Sequence, residues 1–263
     1  MFRGVLKKMI TTNSSPIRYF LSFENDFIEI NQCIGRQVNI TKIGEQCLSC
    51  SSKKLIFRQG FCKSCFFESP HIGDWIIRPE LSTAHLGIQD RDLEYEKKIQ
   101  LQPHIVYLSL SSHVKVGVTR KEQLITRWID QGAQNGISIL EVPNRFLAGK
   151  AEIELKKVFS DKTNWRKMLQ NEFEPVDWRY TREKAIQNLS HDFKPYVVSE
   201  INLTELKFPI DNFPKKVISL NLTKQISYEG ILSGIKGQYL IFKDDTVFNV
   251  RGNEGTEVII SVG

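Results

Sequence analysis

Apolar and polar positions divide the chain into two β-rich ends and a mixed middle. Residues 1–45 and 195–263 consist of short apolar runs bounded by turn residues, which is the pattern expected of strands. Gly230, Gly234 and Gly237 interrupt the last long run, and a glycine within a strand often marks a bulge or a sharp bend. Because chain ends often lie close together, we expect the two β-rich ends to contact each other as one small barrel.

Residues 104–172 have a different pattern, in which short strands alternate with helices. Apolar runs at 105–110 and 114–118 flank a polar turn, and a third run follows at 137–142. A helical spacing of apolar residues extends over about 146–159. This order predicts an α+β fold in which helices pack on a small antiparallel sheet.

A further helix is predicted between the second and third of these strands. Thr119 and Glu122 have the spacing of a capping box, in which each side chain satisfies a free backbone N–H group. The helix should therefore begin at Thr119 and end before Gly132. Trp128 lies on its apolar stripe, so we expect the indole to be buried.

Four cysteines form two C-x₂-C pairs separated by a gap of hairpin length: Cys47, Cys50, Cys62 and Cys65. Two such pairs can surround one Zn²⁺ tetrahedrally, and a site closed by four thiolates is structural rather than catalytic. Residues 54–60 between the pairs are read as a short strand and a turn, as in a zinc ribbon. The alternatives are two disulfides or separate core cysteines. Cys33, in an alternating stretch, is interpreted as a small buried apolar residue.

Composition restricts the class of protein. The 263 residues carry a formal net charge of +6 with a pI of about 9.0, which is compatible with a polyanionic partner. No apolar run reaches the ~18 residues of a membrane span, and the first residues lack the apolar core of a signal peptide. We expect a cytoplasmic protein whose thiols stay reduced, with no membrane partner.

The predicted organisation therefore has six segments. They are a β-rich N-terminal segment (1–45), a zinc ribbon (46–68), a largely irregular connector (69–103), a mixed core (104–172), a helical linker (173–194) and a β-rich C-terminal segment (195–263).

The mixed core resembles the GIY-YIG nuclease superfamily over about residues 104–160. Ile105-Val-Tyr107 stands where that family has its first Gly-Ile-Tyr strand, and Lys115-Val-Gly117 stands at the second motif, with lysine in place of the second tyrosine. Arg127 lies on the next helix, and Glu152 lies in an Ala-Ala-Glu-Leu pattern on the later one. Nearly the whole chain also looks like an uncharacterised bacterial and archaeal family that joins a cysteine-rich ribbon to a GIY-YIG-like core.

The resemblance implies Mg²⁺- or Mn²⁺-dependent cleavage of DNA or RNA phosphodiesters. Glu152 would hold the metal ion, Arg127 would bind phosphate oxygens, Tyr107 would accept or relay a proton, and Lys115 would lower the pKa of Tyr107. Basic residues nearby are candidate nucleic-acid contacts: Arg120, Lys121 and Arg145.

Three of these residues also have a structural interpretation. Tyr107 can be a strand residue at the edge of the core. Arg127 can pair with Asp130 or stack on Trp128. Glu152 can form an i,i+4 pair with the lysine one turn later. Three functions therefore stay open: a metal-dependent nuclease, a nucleic-acid-binding module that no longer cuts, and an adaptor whose ribbon holds an unknown protein partner.

Overall fold

The computed structural model describes residues 1–23 and 26–263. The chain forms two compact units. Unit 1 comprises Met1–Glu68, Leu169–Asn171 and Leu206–Gly263, and unit 2 comprises Ser69–Met168 and Glu172–Glu205. Most of unit 2 is therefore an insertion between the two halves of unit 1.

The elements of the described residues have the following bounds. The strands are β1 (Phe2–Val5), β2 (Ile10–Thr12), β3 (Arg18–Ser22), β4 (Phe27–Glu29), β5 (Gln37–Glu45), β6 (His104–Leu110), β7 (Val114–Arg120), β8 (Asn135–Val142), β9 (Thr204–Glu205), β10 (Ile218–Ser219), β11 (Ser227–Lys236), β12 (Tyr239–Phe242), β13 (Thr246–Asn249) and β14 (Thr256–Val262). The helices are α1 (Lys63–Glu68), α2 (Asp74–Ile77), α3 (Leu93–Gln100), α4 (Leu124–Asp130), α5 (Arg145–Leu155), α6 (Trp165–Gln170) and α7 (Trp178–Gln187).

Unit 1 is built on a sheet that joins both ends of the chain. The strand order is β1-β14-β5-β11-β12-β13-β10, and β2, β3 and β4 form a second sheet. In the register, Ile40 of β5 lies opposite Tyr228 on one side and Ile260 on the other. The expected contact between the two ends is confirmed. The expected barrel is not seen, because no pairing of the described strands joins β1 to β10 and the sheet stays open.

Lys236, the last residue of β11, is a buried lysine in unit 1. Only 1% of it is exposed; its Nζ donates to Asn171 Oδ1 at 3.0 Å and lies 5.5 Å from the ring centroids of Phe208 and Phe213. Burial lowers the pKa of this ammonium group to about 7, since a charged group is costly to remove from water.

This burial predicts a specific dependence of stability on pH. Between about pH 7 and 10, Lys236 is neutral in the folded chain and protonated in the unfolded chain. The unfolded state then binds more protons, so the free energy of unfolding rises with pH, by up to about 1.4 kcal/mol per unit from this group. Urea denaturation across pH 6–9 should show this slope in the wild type and in Lys243→Met, an exposed control. Lys236→Met should show a shallower slope, most clearly between pH 7 and 8, and an unchanged slope would contradict the assignment.

Unit 2 is built on the four-stranded sheet β7-β6-β8-β9. Tyr107 of β6 lies opposite Gly117, and Ser109 lies opposite Lys115, so alternation places the side chains of Tyr107 and Lys115 on one face. Trp128 covers this face and is 1% exposed, as predicted. The opposite face is aliphatic and packs against α5 and α7 through a core cluster: Val106, Leu108, Val116, Val118, Ile137, Leu140, Val142, Ala148, Ala151, Leu155 and Ala185. These sheets, antiparallel except where β10 pairs with β13, and their helices confirm the α+β class.

Two local expectations were wrong. The helix does not begin at Thr119: strand β7 continues through Arg120, a 3₁₀ turn follows at Lys121–Gln123, and α4 begins at Leu124. The pairing of Thr119 with Ile105 in the sheet outweighs the capping box. The connector is also more structured than expected: α3 lies where one helical turn is expected, at about 90–98, but α2 and several 3₁₀ turns are present as well.

Gly149 shows how tightly this connector packs on α5. A Cβ atom there would lie 2.2 Å from the backbone N of Glu80 and 2.5 Å from the carbonyl carbon of Pro79. Helix propensity alone predicts that Gly149→Ala stabilises the protein by about 1 kcal/mol. The clash with backbone atoms predicts the opposite, a loss of about 1–3 kcal/mol. Urea denaturation distinguishes the two, with the exposed Lys150→Ala on the same helix as a near-neutral control. A gain for Gly149→Ala would show that the close approach is absent.

Candidate functional site

The four paired cysteines meet at one point of unit 1. Their Sγ atoms all lie within 4.8 Å of one another, and those of Cys50 and Cys62 are 4.0 Å apart. Four sulfurs bound to one Zn²⁺ at about 2.3 Å would be separated by about 3.8 Å, whereas a disulfide needs about 2.05 Å. All four thiols are free. The cluster fits a zinc ribbon and could bind a zinc ion.

Backbone hydrogen bonds hold the two cysteine turns together. Leu48 N donates to Gly60 O at 2.8 Å, and Cys62 N donates to Cys47 Sγ at 3.3 Å. Gly60 has a φ of +79°, and a Cβ there would lie 2.5 Å from the Leu48 side chain. The expected strand at 54–60 is reduced to a bridge between Arg58 and Phe61, and the second cysteine pair is at the start of α1.

The Cys47 sulfur is placed to carry negative charge. Burial opposes ionisation, but the backbone N–H groups of Cys50, Cys62 and Ser49 hold the pKa of this thiol below its ordinary value. A thiolate is the form that binds zinc.

The ribbon is joined to the sheet of unit 1 by a backbone hydrogen bond, in which Gln46 N donates to Gly255 O at 2.8 Å.

The second cluster lies in unit 2 and begins with Tyr107. Its side chain is fully buried, its hydroxyl donates to Gln131 Oε1 at 3.0 Å, and its ring is edge-on to Trp128 with centroids 5.8 Å apart. A Cβ on Gly117 would lie 2.5 Å from the hydroxyl, so only glycine leaves room for the tyrosine ring. Burial raises the pKa of Tyr107, although the Arg127 guanidinium beside it opposes the shift.

Lys115, on β7, lies on the same face of the sheet as Tyr107, and Arg127 approaches this face from α4. Lys115 is 5% exposed, and burial together with the charge of Arg127 lowers its pKa to about 8. Arg127 is half-buried, and its Nε is buried without a hydrogen-bond acceptor. The structure therefore brings Tyr107, Lys115 and Arg127 together.

Glu152 reaches this cluster from the opposite side of the sheet, on α5. Both α4 and α5 contact β7, the edge strand, and the Glu152 carboxylate lies near enough to Tyr107 to add to the rise in the pKa of that hydroxyl. Glu152 is 7% exposed, and its carboxylate lies 3.3 Å from Lys156 Nζ, which is the i,i+4 pair of the structural interpretation. Burial raises the pKa of Glu152, Lys156 opposes the shift, and the carboxylate of Glu80 adds to it.

The three candidate nucleic-acid contacts differ in availability. Lys121 is exposed and Arg120 is partly exposed, although each has an acidic partner, Glu141 and Glu122 respectively. Arg145 is different. It is 9% exposed, and its guanidinium donates to the carbonyl oxygens of Trp75 and Ile76 at 3.0 and 2.7 Å.

Arg145 is the first residue of α5. A guanidinium that is buried and bound to backbone carbonyl groups anchors the connector and cannot reach a nucleic acid at the surface. We therefore leave Arg145 out of the nucleic-acid contacts.

Sequence reasoning missed two side chains beside this cluster. Gln131 accepts the Tyr107 hydroxyl hydrogen bond, and its place after α4 could have suggested it. Glu80 lies in a 3₁₀ turn of the connector, near Glu152, and its Oε2 is buried without a hydrogen-bond partner. No local pattern marks Glu80, because only the packing of that turn on Gly149 places it there.

Comparison with known proteins gives one family. The family described as "Protein of unknown function (DUF2797)" matches residues 35–258, which include the ribbon and the whole of the second cluster. No curated protein and no solved structure matches the chain. Across the described residues, every helix is too short or too polar to cross a bilayer.

Proposed function

The chain belongs to this family, whose description assigns no activity, and we propose that it is a metal-dependent nuclease of the GIY-YIG type that carries a structural zinc ribbon. Its substrate is a DNA or RNA phosphodiester. The observation that carries the proposal is that Tyr107 and Lys115 share one face of the sheet beside Arg127, whose buried Nε has no acceptor, with Glu152 near Tyr107. These side chains come from four different elements, so their meeting depends on the fold.

Arg127 is the phosphate-binding residue of the proposal. Its buried Nε has no acceptor in the described chain, and a guanidinium donates in a fork that matches two phosphate oxygens. Lys115 adds positive charge while it is protonated, below about pH 8. Arg120 and Lys121 would contact the flanking phosphates.

The carboxylates fit a hard divalent cation. Glu152 supplies one oxygen donor group, and Glu80 supplies a second whose Oε2 has no hydrogen-bond partner. Mg²⁺ and Mn²⁺ prefer such oxygen ligands. When bound, the ion would neutralise charge on the phosphate and on its leaving oxygen. Without it, the nearby Glu80 carboxylate adds to the raised pKa of Glu152, for which burial is the larger cause.

Tyr107 takes a different role from the one expected. Burial raises its pKa, and its hydroxyl is already a hydrogen-bond donor to Gln131. We assign it to holding and donating a proton next to Arg127 rather than to abstracting one from water.

The zinc thiolates would persist in a reducing compartment, so we place the protein in the cytoplasm.

A second function is favoured by one observation, the complete burial of Tyr107. A catalytic hydroxyl must touch the substrate, and a fully buried one serves the core. On this alternative the chain binds nucleic acid without cutting it.

The test is incubation of the wild-type protein with single- and double-stranded DNA and RNA, with Mg²⁺ or Mn²⁺ and then with EDTA. Cleavage that EDTA abolishes is expected. Binding that weakens with salt but never leads to cleavage would establish the alternative. If the protein shows neither, both functions are excluded and the ribbon becomes an adaptor for a protein partner.

A further inference from the structure

The zinc ribbon carries an exposed aromatic cluster that its fold does not require. Phe57, Phe66 and Phe67 have ring centroids 5.3–5.8 Å apart. Phe57 is 42% exposed and Phe67 is 58% exposed, and nearby Leu55 is 84% exposed. Rings that only stabilised the ribbon would be turned inward, because apolar surface that stays exposed does not stabilise the folded state.

The charged residues of the ribbon segment itself are almost all basic. Residues 46–68 contain one acidic residue, Glu68, against four exposed basic residues: Lys53, Lys54, Arg58 and Lys63. Within the part of the chain that the structure describes, none of these four forms an ion pair. Arg58 extends over Phe57, with its guanidinium carbon 5.3 Å from the ring centroid. Lys53, Lys54 and Leu55 also line a pocket of about 510 Å³ beside the end of β5, whose lining includes the carboxylates of Glu45 and Glu257.

The backbone beneath the rings is held in place. Phe57 N donates to Phe61 O at 2.8 Å, and Phe66 N donates to Cys62 O at 2.9 Å. Phe66 directly follows Cys65, one of the four clustered cysteines. The rings therefore need little ordering when a ligand binds, which lowers the entropic cost of association.

We propose that Phe57 and Phe67, together with the four surrounding basic residues, form a surface on which single-stranded nucleic acid binds. Exposed rings offer stacking surfaces to unpaired bases, and exposed lysines and arginines contact the backbone between them. In a duplex the base faces are stacked on one another, so a duplex can contact the basic side chains but cannot stack on Phe57 and Phe67. The proposal shares with the proposed function only a nucleic-acid partner. It needs neither Glu152 nor cleavage.

Fluorescence anisotropy of a labelled oligothymidylate or oligouridylate of about 15 nucleotides tests it, in EDTA-free buffer without added divalent ions. Phe57→Ala/Phe67→Ala is expected to weaken binding at least about tenfold, since each stacked base contributes about 1–3 kcal/mol. Lys53→Gln/Lys54→Gln is expected to reduce the dependence of the affinity on salt. Tyr180→Ala, which removes a ring that is 65% exposed on α7, should bind as the wild type does.

Zinc content shows whether each variant keeps the ribbon. If the double variant loses zinc, Phe67→Leu replaces it, because leucine retains apolar contacts but offers no ring, and weakened binding is again expected. Equal binding by the wild type and a zinc-containing phenylalanine variant would overturn the proposal. So would an absence of single-strand binding, or a preference for duplex that ignores the rings. If the wild type binds single strands through the rings but cleaves no nucleic acid, the proposed nuclease activity is contradicted and the binding surface is not.

Discussion

Cys47→Ser is expected to yield protein without zinc and with an unfolded ribbon. Cys47 is 1% exposed, its sulfur accepts the N–H group of Cys62, and it lies within 4.8 Å of the other three thiols. A serine hydroxyl does not replace a zinc thiolate at neutral pH. Since zinc binding contributes on the order of 10 kcal/mol to folding in ribbons of this kind, its loss should expose residues 46–68 to solvent. Elemental analysis and hydrogen exchange measure the two effects.

Cys33→Ser is the matched control. Cys33 is also buried, but it lies in a 3₁₀ turn of unit 1 and outside the four-cysteine group. This variant should retain about one zinc per chain, the value expected of the wild type. Wild-type protein purified without chelator that contains no zinc, yet keeps residues 46–68 protected from exchange, would rule out the metal centre.

The second large effect is expected at Glu152. Glu152→Gln should slow metal-dependent cleavage at least about a hundredfold, because a neutral amide is a poor ligand for Mg²⁺ and the substrate charge is then left uncompensated. The variant should stay folded, since an amide is less costly to bury than the carboxylate whose pKa burial raises. Initial cleavage rates at saturating Mg²⁺, with a melting curve, provide the measurement.

Glu154→Gln is the control for this change. It removes the same charge from the same helix, and its amide oxygen can still accept the N–H group of Ser190. Cleavage should continue at the wild-type rate. If the two variants cleave equally well, Glu152 serves only as the ion-pair partner of Lys156. A Tyr107→Phe variant should bind nucleic acid normally and cleave more slowly, because only the hydroxyl is lost.

Features set by neighbouring residues could be read from the sequence. The turn between 105–110 and 114–118, the burial of Trp128 and the meeting of the four cysteines all follow from short-range patterns, and the structure contains each of them. The sequence shows a glycine two residues after Lys115 but not why it is there. The structure gives the reason: Gly117 leaves room for the ring of Tyr107 on the adjacent strand.

Features set by distant residues could not be read in this way. Thr119 has the residues of a helix cap, but the sheet keeps it in β7. Arg145 is a charged residue on a helix, and nothing local shows that the carbonyl groups of Trp75 and Ile76 enclose it. Glu80 is brought towards Glu152 by a turn some 70 residues earlier in the chain (152 − 80 = 72). Tertiary packing overrides local preference at each position.

The interleaved order of unit 1 has a consequence during protein synthesis. Strand β5 emerges from the ribosome early, but its neighbours β11 and β14 are translated only after the whole of unit 2. At about 5–20 residues per second, Ile40 remains without its partner Tyr228 for roughly 10–40 s. During that time β1 and β5 have unpaired edges, and the apolar side chains of β5 lack the partners that bury them, which is the state that chaperones recognise. A nascent chain released after residue 205 would contain all of unit 2 beside strands that can never pair.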